Sequence, residues 1–140
     1  MPSFVGSIDE GRMLVDVWVS EPGQDGDEET PLVNQFQCRA LLDTGATISG
    51  ISRRIVDEMK LTPDGWLPIT GAHGKQDTPT CSVGMVIPVS DQSTVSTRGF
   101  QNMQVMVLDF QPEGFDAING MDLLHACHLS MSNGVFILSI

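Results

Sequence analysis

Basic residues are scarce. Lysine and arginine together number 7, against 18 aspartates and glutamates, and the formal net charge is −11 at pH 7. Phosphate binding needs clustered cations, so this balance excludes a nucleic-acid surface. It excludes docking on an anionic membrane for the same reason. Long apolar runs are absent: none reaches the roughly 20 residues that span a bilayer. The start, Met1 to Gly11, carries Asp9 and Glu10 with no basic n-region, so no secretory signal is expected. Cysteine is sparse and odd in number, with Cys38, Cys81 and Cys127 widely spaced. That is a poor disulfide framework. Free, buried thiols suit a reducing compartment, and a cytoplasmic location is expected. There is no internal repeat and no phosphate-binding loop, because Gly71 to Lys75 is too short and lacks a following Ser or Thr.

What is present is enough for one folded unit. The chain has 140 residues, 41% of them hydrophobic, which fits a single domain over 1–140 with a real core. Met13 to Val19 is rich in β-branched residues and reads as a strand. Glu21 to Glu29 holds five acids, two glycines and a proline, and reads as a solvated loop; docking of a basic partner is its functional alternative. Phe36 to Leu42 reads as the next strand. Ser52 to Leu61 shows a short helical face, with Ser52 as N-cap and Pro63 as stop. Cys81 to Val89 and Phe100 to Leu108 read as strands split by a polar loop from Ser90 to Gly99. Gly120 to His128 is a short helix candidate, and Gly134 to Ile140 a terminal strand. The fold class is mostly β with one or two short helices. A terminal apolar strand needs a cover for its edge, and a partner subunit is the simplest one.

The segment that carries chemistry is Asp43-Thr44-Gly45-Ala46. An apolar strand holds the carboxylate rigidly. Gly45 permits a sharp turn, Thr44 offers a hydroxyl, and Ala46 leaves room for a second backbone. Alone, the tripeptide also fits an Asp that merely ends a strand and starts a turn. Two further elements accompany it. Ile69-Thr70-Gly71-Ala72-His73-Gly74-Lys75 has the glycines of a mobile hairpin tip. Ile118-Asn119-Gly120, followed by Met121-Asp122-Leu123-Leu124, is an apolar-Gly element leading into a helix.

On these residues the chain resembles the retropepsin-like aspartic proteases, from about Val15 to Ile140. Asp43-Thr44-Gly45-Ala46 looks like the family's catalytic motif, Ile69 to Lys75 falls at its flap, and Ile118-Asn119-Gly120 looks like its second apolar-Gly motif. The resemblance implies one lobe of a closed β-barrel acid-protease fold per chain. It also implies that strand 135–140 lies at a subunit interface. Asn119 stands where the family carries an aliphatic residue, and Met121 where viral members carry Arg. Thr47 and Ile48 stand where viral members often carry acids. The closer likeness is to bacterial-type members.

An aspartic protease needs two facing carboxylates that share a proton. This sequence has one Asp-Thr-Gly, since Asp77-Thr78 runs into Pro79. A catalytic assembly is therefore a homodimer with Asp43 from each chain. The expected activity is aspartic endopeptidase on a peptide or protein substrate, through a water activated by the Asp43 pair, with no cofactor and no metal. The alternative is a catalytically silent peptide-binding or interaction domain on the same fold. His125, Cys127 and His128 cluster on the second helix candidate, with His125 and His128 sharing a face, but lack a second ligand group for zinc. The eight methionines are core filling.

Overall fold

A computed structural model describes residues 2–23, 34–71, 74–91 and 94–140. Its strands are β1 (Ser3–Asp9), β2 (Arg12–Ser20), β3 (Phe36–Leu42), β4 (Gly50–Ile51), β5 (Gly65–Gly71), β6 (Gly74–Asp91), β7 (Thr94–Val107), β8 (Ala117–Asn119), β9 (His128–Ser132) and β10 (Val135–Ser139). Two short helices, α1 (Arg53–Met59) and α2 (Met121–Leu124), interrupt them. The strand order is β5-β6-β7-β4-β8-β3-β2-β1-β10-β9, and β6 also pairs with β2 and β1. The added β6–β2 pairing closes a circuit through β7, β4, β8 and β3, so the sheet curls around one core.

Period-2 patterning builds that core. On β2, Val15, Val17 and Val19 are buried while Asp16 between them is exposed. On β6, Val83, Met85, Ile87 and Val89 point inward, with a register shift between Val83 and Met85. Phe136 and Leu138 of β10, Ile55 of α1 and Leu123 of α2 complete it. Ser52 caps α1, its hydroxyl accepting the Ile55 N–H, and Lys60 ends the helix in the left-handed conformation. Among the described residues, no helix is long and apolar enough to cross a membrane.

Several expectations need correction. The loop at Ser90 to Gly99 is mostly strand: β6 and β7 pair as far as Asp91 and Thr94, a long hairpin whose cross-strand ladder carries the polar residues into the sheet. The helix at Gly120 to His128 stops at Leu124, and His128 opens β9, so His125 and His128 do not share a helical face. The terminal strand β10 is not an open edge. It lies between β1 and β9, two strands that the sequence did not reveal. What β10 leaves open is one face: Val135 and Ile137 are exposed there, and Val5 of β1 lies directly opposite Ile137. The acidic loop expected at Glu21 to Glu29 lies largely outside the described residues.

Candidate active site

Strand β3 runs into Asp43 at the centre of the sheet, between β2 and β8. Its parallel partner β8 sets Leu41 beside Ile118 and Leu42 beside Asn119. The Asp43 N–H donates to the Asn119 carbonyl at 3.0 Å, which extends the ladder by one residue. The chain then turns: the Ala46 N–H donates to the Asp43 carbonyl at 3.1 Å, and the Gly45 N–H to Asp43 Oδ1 at 2.9 Å. The turn thus fixes one carboxylate oxygen. Among the described residues, Oδ2 receives no donor. Asp43 is half-buried, and Thr44 and Gly45 are exposed beside it, open to a second molecule.

Gly120 seats this loop from behind. A Cβ on Gly120 would lie 2.7 Å from the Ala46 carbonyl oxygen and 3.0 Å from the Ile48 carbonyl, both rigid backbone. Only glycine lets β8 and the loop approach so closely. The Met121 N–H donates to that same Ala46 oxygen at 2.7 Å. A polar clamp adds to it. The buried Ser49 hydroxyl accepts the Gly120 N–H at 3.0 Å and donates to Asp122 Oδ1 at 2.7 Å. The Ser49 N–H donates to Asp122 Oδ2 at 3.0 Å. Ser49 and Asp122 are 73 residues apart. No local pattern pairs them, and sequence reasoning missed both.

Asn119 is fully buried, and neither Nδ2 nor Oδ1 has a partner among the described residues. Its backbone does what an aliphatic residue would do there, and its side chain carries a desolvation cost. Ile118 is 8% exposed and lies between Leu41 and Gly50. The glycine-flanked segment forms a hairpin. β5 pairs with β6 from Gly65 opposite Thr80 to Gly71 opposite Gly74, so Ile69 and Thr70 sit next to its tip. Ala72 and His73 lie outside the described residues.

The thiols are set apart from this chemistry. All three cysteines are free. Burial, then the Asp116 carboxylate, push the Cys38 thiol up to about 12, against a smaller opposing effect of Arg54. Burial also raises Cys81, helped by Asp64, and Cys127. Thiols held protonated are poor nucleophiles and poor metal ligands at neutral pH. Among the described residues, no group of three His, Cys, Asp or Glu side chains is placed to hold a metal ion.

The sequence profile of a family described as aspartyl protease matches residues 30–123, which include Asp43, the hairpin and Gly120. The chain belongs to the aspartyl protease family. Its fold is that of the retropepsin-like members. It superposes on a retropepsin-like aspartic protease from Rickettsia conorii with a TM-score of 0.61, at 12% identity, over 97% of this chain and 89% of that one. An EIAV protease solved with the inhibitor HBY-793 matches with a TM-score of 0.48, at 20% identity, over 84% of this chain and 88% of that one. A search of curated proteins by sequence found no match.

Proposed function

We propose that this aspartyl protease family member is an aspartic endopeptidase that works as a two-fold homodimer, with Asp43 of each chain forming the catalytic pair. The observation that carries the reading is the Asp43 turn. One carboxylate oxygen is held by the Gly45 N–H and the other receives no donor among the described residues, in a loop wedged in place by Gly120. A single such loop supplies half a site.

In the dimer the two carboxylates share one proton. The ionised one takes a proton from a bound water, whose oxygen attacks the scissile carbonyl carbon. The protonated one gives its proton to the carbonyl oxygen. The resulting gem-diol collapses as a proton passes to the amide nitrogen, breaking the C–N bond with no covalent enzyme intermediate. Thr44, exposed at the turn, braces the two loops against each other. Gly45 and Ala46 admit the second backbone, while Ile118 forms part of the floor. The hairpin tip, Ile69 to Gly74, closes over the peptide and excludes water. Strand 135–140 contributes to the interface through its open face, where Val135 and Ile137 are exposed. Residues 1–140 act as one domain, and the free thiols suit the cytoplasm.

The test is cleavage of a diverse peptide library from pH 4 to 7, read by mass spectrometry, with Asp43→Asn alongside. Cuts made by the wild type alone support the reading. Cuts that survive Asp43→Asn defeat it. Absence of cuts from a protein shown to be dimeric favours the silent peptide-binding domain, on which the buried Asn119 behind the loop, unpaired among the described residues, would then bear.

A further inference from the structure

A cavity lies away from Asp43, on the flank where β2, β3, the start of α1 and the segment before β8 meet. It measures about 430 Å³, and its lining includes Asp16, Cys38, Arg39, Arg54, Gln111 and Asp116. Arg39 lies on β3, four residues before Asp43, so along an extended chain their Cα atoms are about 13 Å apart.

The cavity gathers two of only seven basic residues in a chain of net charge −11. Arg54 is held in place: its guanidinium lies over the Phe36 ring, 5.4 Å from the centroid. Among the described residues its one ion pair, also a hydrogen bond, is long: Nη1 donates to Asp116 Oδ2 at 3.5 Å. Asp116 is already engaged through Oδ1, which accepts from the Ser52 hydroxyl at 2.9 Å and from the Gln111 amide at 3.3 Å. Arg39 forms no ion pair among the described residues, although Asp16 is its partner in the β2–β3 register. The Cys38 thiol at the cavity stays protonated and adds no negative charge. Arg39 and Arg54 therefore line one cavity, and apart from the Arg54–Asp116 bond neither guanidinium has an ion-pair or hydrogen-bond partner among the described residues.

We propose that this cavity is a second peptide-binding site that takes an acidic side chain, its carboxylate gripped by Arg39 and Arg54. Paired N–H donors in a fixed fork match a carboxylate. Asp16 competes with the ligand for Arg39, which limits affinity and makes the site selective for well-placed acids. Binding here stands apart from cleavage, so the failure of one reading leaves the other standing.

The experiment uses the full chain carrying Asp43→Asn, so that no probe is cut. Fluorescein-labelled peptides of alternating Glu and Gly, or alternating Lys and Gly, are titrated and followed by anisotropy at fixed low salt. The Glu peptide binds and the Lys peptide does not. Arg39→Gln and Arg54→Gln each weaken binding about tenfold or more. Arg98→Gln, an exposed base on β7, leaves it unchanged. Asp16→Asn tightens it severalfold, a gain that damage to the fold would not give. Should Arg54→Gln fail to fold, Arg39→Gln and Asp16→Asn decide. No binding of the Glu peptide, equal binding by the Arg39→Gln protein, or weaker binding by the Asp16→Asn protein overturns the proposal.

Discussion

Replacing Asn119 by valine should make the protein more stable, against the usual direction of core mutations. Asn119 is 0% exposed, and both polar atoms of its amide lack a partner among the described residues. A buried polar group left unpaired costs about 1 to 3 kcal/mol. Valine has no polar side-chain atom to desolvate, so it relieves this cost, and it suits strand β8 better. The backbone carbonyl that receives the Asp43 N–H is untouched by the change. Unfolding entropy scales at about 2.1 cal/mol/K per residue, or about 0.3 kcal/mol/K for 140 residues. Each 1 kcal/mol then moves Tm by about 3 °C, and the expected rise is about 3 to 10 °C. Calorimetry at one protein concentration measures it, with urea unfolding as a second scale. A fall in Tm with unchanged urea m-value would refute the reasoning, since it would mean that the amide is satisfied in the folded protein.

Other expectations rest on the same geometry. Gly120→Ala places a Cβ 2.7 Å from the Ala46 carbonyl oxygen, so it should cost roughly 1 to 3 kcal/mol or more in urea unfolding and displace the Asp43 turn. Loss of stability without loss of any cleavage activity would separate the wedge from the site. Cys38, with its thiol pushed up to about 12 from 9.0, should react with a thiol reagent at pH 8 about a thousandfold more slowly in the folded than in the unfolded chain. Because the unfolded thiol ionises first, the stability that Cys38 supports is complete below pH 9.0 and declines as pH rises towards about 12, which denaturant titrations across that range would show. Two chains of charge −11 repel at pH 7, and the sequence pI is about 4.3. The proposed dimer should tighten from pH 7 to 5 and with added salt, and sedimentation showing equal or weaker association at pH 5 would contradict this.

The order of the chain's chemistry was legible in one dimension. Phe36–Leu42, the Asp43-Thr44-Gly45-Ala46 turn, the Ser52 cap and the hairpin after Gly65 each rest on neighbours within a few residues. Local propensity and turn chemistry therefore sufficed to find them. Strands β1 and β9 escaped because their signal is weak. β1 mixes Gly6 with serines, and β9 is nearly all exposed, so distant pairing makes them strands: β10 pairs with both, and β2 and β6 also pair with β1. The second helix ended early for the same reason: β10 recruits His128 to Ser132 into the sheet.

By itself, then, the sequence determined the carboxylate, the glycines around it, the excess of negative charge and the single Asp-Thr-Gly motif on which the proposed dimer rests. Those are properties of composition and of contiguous residues. Only the tertiary structure decided that Gly120 wedges under Ala46, that Ser49 and Asp122 clamp the loop, that the buried Asn119 amide has no partner among the described residues, and that Arg39 and Arg54 share a cavity. Each joins residues far apart in the chain, and nothing in local pattern fixes which distant groups a curled sheet brings within hydrogen-bond reach.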